Sequence, residues 1–154
     1  MKVEIKNMPA IRLAAVRHIG PYDEIASAFE RLGAIAGPAG LFAKPGAAMI
    51  AIYHDDPNTT PPDRLHSDAA VVVSDDAALP KGLIEARLPA GRYACVLHVG
   101  PYESLPRVWP RFLTEWVPAS GQRVSGGASY ERYLNNPSDT PKHDLRTELY
   151  TSIE

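Results

Sequence analysis

The chain is written twice. At a constant offset of 80 positions, the stretch Pro9 to Tyr22 meets Pro89 to Tyr102 with nine identities in fourteen positions, where unrelated sequence would give roughly one. The same offset, without a gap, pairs Tyr53 with Tyr133, Pro57 with Pro137, Thr60 with Thr140, Pro61 with Pro141 and Leu65 with Leu145, and sets Asp68 opposite Glu148. A duplication in such even register is a strong constraint. One unit of about 80 residues forms twice, and two units that small are expected to share a core. The organisation expected is a single domain over 1–154, made of two repeats, 1–80 and 81–154.

Within the first copy, residues 2–6 alternate polar and apolar as a half-buried strand does. After a turn at residues 7–10, Ile11 to Arg17 reads as a second strand, completing a hairpin. Gly20-Pro21 breaks it, and Pro is well placed to start a helix. That helix is expected from about Tyr22 to Ala36, with Ile25, Ala28, Phe29, Leu32, Ile35 and Ala36 on one face and Asp23 and Glu24 in the dipole-favoured first turn. Strands follow at 48–54 and 67–74, across a connection dense in turn formers. The second copy repeats the order. Strands at 83–88 and 92–98 precede a helix at about 104–116, with Ser104 as N-cap. Pro110 is expected to kink that helix or delay its start, and Val117-Pro118 to stop it. Strands at 130–135 and 144–153 complete the copy. Strand-strand-helix-strand-strand, twice over, predicts an α+β fold: an antiparallel sheet with both helices on one face.

Composition narrows the function. Apolar residues make up 45% and charged ones 22%, an ordinary globular balance, and the net charge of −2 argues against nucleic acid as a direct partner. The single cysteine, Cys95, forms no intramolecular disulfide and supports no cysteine-based metal cluster; its apolar strand suits a small buried hydrophobe. No apolar stretch has signal-peptide or membrane-spanning length, so a cytoplasmic protein without a membrane partner is expected. His18 and His98 are paired by the repeat, but no other ligand type stands at metal spacing around them. Capping or turn hydrogen bonding is the better use of two strand-end histidines. No phosphate loop, nucleophile elbow or zinc motif is present, and neither metal nor cofactor is expected.

The two His-x-Gly-Pro-Tyr stretches, with the ending Tyr130-Glu131-Arg132-Tyr133-Leu134-Asn135-Asn136-Pro137, Thr140-Pro141 and Leu145-Arg146-Thr147-Glu148-Leu149-Tyr150, resemble the GyrI-like family over essentially the whole chain. Its members include stand-alone DNA gyrase inhibitory proteins and the effector-binding domains of AraC-type and MerR-type multidrug-sensing activators. The resemblance implies a pocket between the two helices and the sheet, near the pseudo-two-fold axis. In the sensing relatives such a pocket holds cationic aromatic compounds against an acidic residue. Some free-standing relatives hydrolyse strained cyclopropane-containing toxins. DNA gyrase enters as a partner through the resemblance alone; nothing in the residues speaks to it, and kinship of fold does not transfer it.

Glu148 is the acidic position that the resemblance implies. In the last strand it alternates to one face with Arg146 and Tyr150. A carboxylate there can pair with a ligand cation or, desolvated, serve as a general base, which makes Glu148 the catalytic candidate if the protein is an enzyme. It also reads as a strand glutamate paired with Arg146, Arg132 or solvent; its counterpart Asp68 reads more readily as structural. Aromatic residues are uneven between copies: Tyr22, Phe29, Phe42 and Tyr53 in the first, against Tyr93, Tyr102, Trp109, Phe112, Trp116, Tyr130, Tyr133 and Tyr150 in the second. Equal copies need equal core filling, so the excess points to a ligand on the second copy, held by stacking or cation–π contact. Trp109, Tyr130, Tyr133 and Tyr150 are the candidate walls around Glu148. Core packing is an equal reading for Trp109 and Phe112, and Trp116 suits a helix-to-sheet anchor. Sequestration of amphipathic or cationic aromatic compounds leads; a hydrolase using the same pocket is the alternative.

Overall fold

The computed structural model describes residues 1–154. Two compact units form, and each borrows a strand across the repeat border. One unit is Met1–Pro9 with Ala90–Glu154, the other Ala10–Pro89. The strands are β1 (Val3–Met8), β2 (Ile11–Ile19), β3 (Met49–Tyr53), β4 (His66–Val73), β5 (Ile84–Leu88), β6 (Gly91–Val99), β7 (Val124–Tyr133) and β8 (Arg146–Ile153). The first unit has the order β1-β6-β8-β7 and the second β3-β4-β2-β5, every pairing antiparallel. With eight antiparallel strands and a helix in each unit, the fold is α+β, as expected.

The expected hairpins do not form. β1 pairs with β6, Val3 opposite Val96 and Met8 opposite Gly91, while β5 pairs with β2, Leu88 opposite Ile11. The reason lies in the connections. A tight hairpin turn needs residues at positive φ. Pro9-Ala10 cannot supply them, and no non-glycine residue of the chain has positive φ. The chain therefore runs on, and the first strand of each copy joins the other copy's sheet.

Each helix covers one face of its own sheet. Helix α1 (Ala26–Ala36) follows a 3₁₀ turn at Tyr22–Glu24 and buries Ala28, Leu32 and Ala36 against Ala14, Val16, Ala69 and Val71. The second helix is built differently. It has an α segment, α2 (Leu105–Pro110), a π-helical segment at Arg111–Trp116, and a last α turn, α3 (Val117–Ser120). Val117-Pro118 does not stop it: the chain stays helical through Pro118, and Gly121 at φ 80 closes the helix. Ser104 makes no side-chain cap. β7 begins at Val124, earlier than expected. The run Ser125-Gly126-Gly127 carries no apolar alternation, and the register shifts between Val124 and Ser129.

The His-x-Gly-Pro-Tyr repeat has one structural job in both units. Gly20 (φ 135) and Gly100 (φ 146) each donate an amide hydrogen bond of 2.8 Å, to the carbonyls of Leu65 and Leu145. A side chain at Gly100 would lie 3.3 Å from His98 Nε2 as well as adopting a left-handed backbone. His18 Nε2 meets the Pro21 carbonyl at 3.0 Å, the turn hydrogen bond expected of it; His98 Nε2 is buried without such a partner. No helix is long and apolar enough to cross a membrane.

Candidate functional site

The unit built on β1, β6, β8 and β7 has two chemically distinct faces, fixed by strand alternation. On the face under the helix, Glu131 lies opposite Leu149, and Tyr133 opposite Thr147. Leu149 packs in the cluster that includes Phe112, Trp109 and Tyr102. Glu131 is buried, 4% exposed. Trp109 Nε1–H donates to Glu131 Oε2 at 2.7 Å, and the Tyr133 hydroxyl donates to Oε1 at 2.7 Å. Each carboxylate oxygen thus accepts a hydrogen bond from a side chain of the site, as a buried carboxylate requires. The Tyr102 ring stands edge-on to Tyr133 at 5.3 Å. Burial and then the Glu131 charge push the Tyr102 phenol above its ordinary pKa.

On the opposite face, Glu148, Tyr150 and Tyr130 meet residues from β1 and β6. The rings of Tyr130 and Tyr150 stack at 4.6 Å, with Tyr93 edge-on to both. All three tyrosines are buried, and burial drives the phenols of Tyr130 and Tyr150 far up. Glu148 is half-buried. It takes a hydrogen bond from Tyr150 Oη at 3.1 Å and an ion pair from Lys6 Nζ at 3.3 Å, and Lys6 also lies over the Tyr150 ring. Cys95 is beside them, its thiol raised by burial to about 11, so it is an inert, packed sulfur.

The five residues singled out in the sequence therefore divide: Trp109 and Tyr133 gather under the helix, whereas Glu148, Tyr130 and Tyr150 pack together on the other side of the sheet. The other unit shows what is common to both copies. Tyr22 and Tyr53 stand 4.7 Å apart, matching Tyr102 and Tyr133, so that tyrosine pair belongs to the repeat. At the positions of Trp109 and Glu131 the first copy has Phe29 and a fully buried Ala51. The indole–carboxylate pair is what the second copy adds. Asp68, the counterpart of Glu148, is closed by Arg17 at 2.5 Å and His54 at 2.7 Å, an internal ion-pair network.

Comparison with known proteins gives the family. The family model described as the GyrI-like small molecule binding domain matches residues 1–154. The chain belongs to the GyrI-like family. A "DNA gyrase inhibitor" of Serratia proteamaculans is 34% identical over 162 residues, covering 100% of this chain and 99% of that protein. Among solved structures, the C-terminal domain of EcmrR has a TM-score of 0.79 at 21% identity, over 99% of this chain and 97% of that one. SAV2435, solved with tetraphenylphosphonium bound, has a TM-score of 0.73 at 15% identity, over 100% and 94%. These two likenesses speak to the fold.

Within this GyrI-like chain, Glu131 and Tyr102 are the residues that sequence reasoning passed over. Two signals bore on the site, and the second pointed to Glu131. Tyr130 and Tyr133 are an odd number apart in one strand, so they cannot share a face, and the set around Glu148 could not converge on one side of the sheet. The constant offset also sets Glu131 against Ala51, a new carboxylate at a core position.

Proposed function

We propose that this protein binds lipophilic, cationic aromatic compounds on the helix side of the β1-β6-β8-β7 sheet, with Glu131 as anchor and Trp109, Tyr133 and Tyr102 as walls. The observation that carries the reading is the Trp109–Glu131–Tyr133 constellation, a buried carboxylate hydrogen-bonded by an indole and a phenol and bordered by rings. A carboxylate set among rings is the chemistry that pairs with a ligand cation, and the rings add cation–π contact of about 0.5–2 kcal/mol each. Glu148, Tyr130 and Tyr150 form a supporting layer beneath, already paired among themselves and with Lys6. The tetraphenylphosphonium held by the similarly folded SAV2435 is a compound of this class, and the GyrI-like description itself supports a small molecule.

A second reading has its own support: relatives as similar as 34% carry the name DNA gyrase inhibitor. Binding a small molecule and touching gyrase are separable. The test is a thermal-shift screen against tetraphenylphosphonium, cationic dyes and cyclopropane-bearing alkylators, with mass spectrometry of each compound afterwards and a supercoiling assay alongside. A ligand at 100-fold excess over its dissociation constant adds about 2.7 kcal/mol to stability. A shift that Glu131→Gln removes, with the compound recovered intact, supports binding. Recovery with one added water makes the protein a hydrolase, for which the Tyr133–Glu131 pair offers an acid and a base. No shift with any compound, and supercoiling blocked equally by wild type and Glu131→Gln, would replace the binding reading with the gyrase one.

A further inference from the structure

The second helix contains a π turn where the first has none, and the repeat lets its effect be read position by position. At the end of α1, the Gly37 amide donates to the Gly33 carbonyl, four residues back. At the equivalent place in the second copy, the Val117 amide donates to Phe112, five residues back. The buried positions shift with it. Leu32 and Ala36, both fully buried, are four apart; Phe112 and Val117, also buried, are five apart. The offset sets Trp116 at Ala36, a slot that holds only a methyl group. An indole cannot enter it, and the wider turn gives the slot to Val117 instead. Trp116 is turned aside, 6.1 Å from the Phe112 ring, and Phe112 lies 6.0 Å from Trp109. Pro110 and Thr114 support the turn, the Thr114 hydroxyl donating to the Pro110 carbonyl at 2.5 Å.

We infer that the π turn at Arg111–Trp116 is a positioning device for ligand binding: it sets Trp116 as a brace behind Phe112, and the ladder Trp116–Phe112–Trp109 holds the Trp109 indole on Glu131. This rests on the binding reading above. In this role Trp116 acts through Phe112 on Trp109.

The experiment compares wild type with Trp116→Ala, Trp116→Phe and a deletion of Glu115 that restores the four-residue spacing. One readout is the Trp109 indole N–H resonance in ¹⁵N-labelled protein, identified by its loss in Trp109→Phe. The other is the dissociation constant for tetraphenylphosphonium. Expected for Trp116→Ala are a displaced resonance and an affinity lower by about threefold to tenfold, the scale of one lost aromatic contact. Trp116→Phe restores both. The Glu115 deletion, where it folds, behaves as Trp116→Ala or worse. A lower melting temperature with resonance and affinity unmoved would reduce Trp116 to core filling and overturn the inference. The two readings fail separately. If wild type ignores the probe, the binding reading falls, and the resonance alone decides the brace. If Glu131→Gln loses the probe and Trp116→Ala keeps it, only the brace falls.

Discussion

The same position in the two copies carries a paired carboxylate, Asp68 with Arg17 and His54 and Glu148 with Lys6 and Tyr150, the first more deeply buried. Asp68 is 1% exposed. Burial alone would raise its pKa, but the hydrogen bonds from His54 and Arg17 outweigh burial and hold it below its ordinary 3.8. A depressed pKa in the folded state gives stability that is fully present above 3.8 and is lost as pH falls through the lower folded value. Asp68→Asn is therefore expected to cost on the order of 2 kcal/mol near neutral pH, the scale of hydrogen bonds to a charged group, moderated by the exposure of Arg17. Urea denaturation at a series of pH values checks it. The gap between wild type and variant should close as pH drops well below 3.8, and a constant gap would assign the cost to packing. Asp68 as a structural residue was legible in the sequence. Glu131 was legible only through the repeat offset that sets it against Ala51; its partner Trp109 comes from a helix 22 residues earlier, and no local pattern joins the two.

At the scale of elements, periodicity reported α1 and the central strands well, since their apolar spacing is regular. It failed where the backbone itself departs from regularity. A five-residue helical turn has no signature in a 3.6-residue pattern, and the glycine-rich start of β7 shows no alternation. The Gly-Pro breaks were legible for a firmer reason: a left-handed backbone position excludes other residues. Gly100→Ala places a methyl group 3.3 Å from His98 Nε2 at φ 146 and is expected to cost about 1–3 kcal/mol, read from the urea midpoint at unchanged slope. Stability equal to wild type would mean that the turn relaxes freely. Gly33→Ala, at an ordinary helical position with open space around it, is the control and should be neutral or slightly stabilising.

For the whole molecule, the duplication was visible from the first alignment of the chain with itself, but the exchange of first strands was not. Hydrophobic pattern reports that a strand exists and which way its side chains alternate; it does not name the partner. Native-state hydrogen exchange should show the exchange directly. Amides of β1 are expected to open together with β6 and β8, and those of β5 with β2 and β4; common opening of β1 with β2 would contradict the pairing. Duplication also offers an origin for the proposed site. The tyrosine pair stands in both copies, while one copy has Trp109 and Glu131 where the other has Phe29 and Ala51, and its helix carries the five-residue turn. The most direct test of that specialisation is a calorimetric titration of tetraphenylphosphonium into wild type, Glu131→Gln and Glu148→Gln. Glu131→Gln should weaken binding about tenfold or more, equivalent to at least about 1.4 kcal/mol, and Glu148→Gln should leave it within about twofold, under about 0.5 kcal/mol on the same scale. The reverse order would move the site to the opposite face of the sheet.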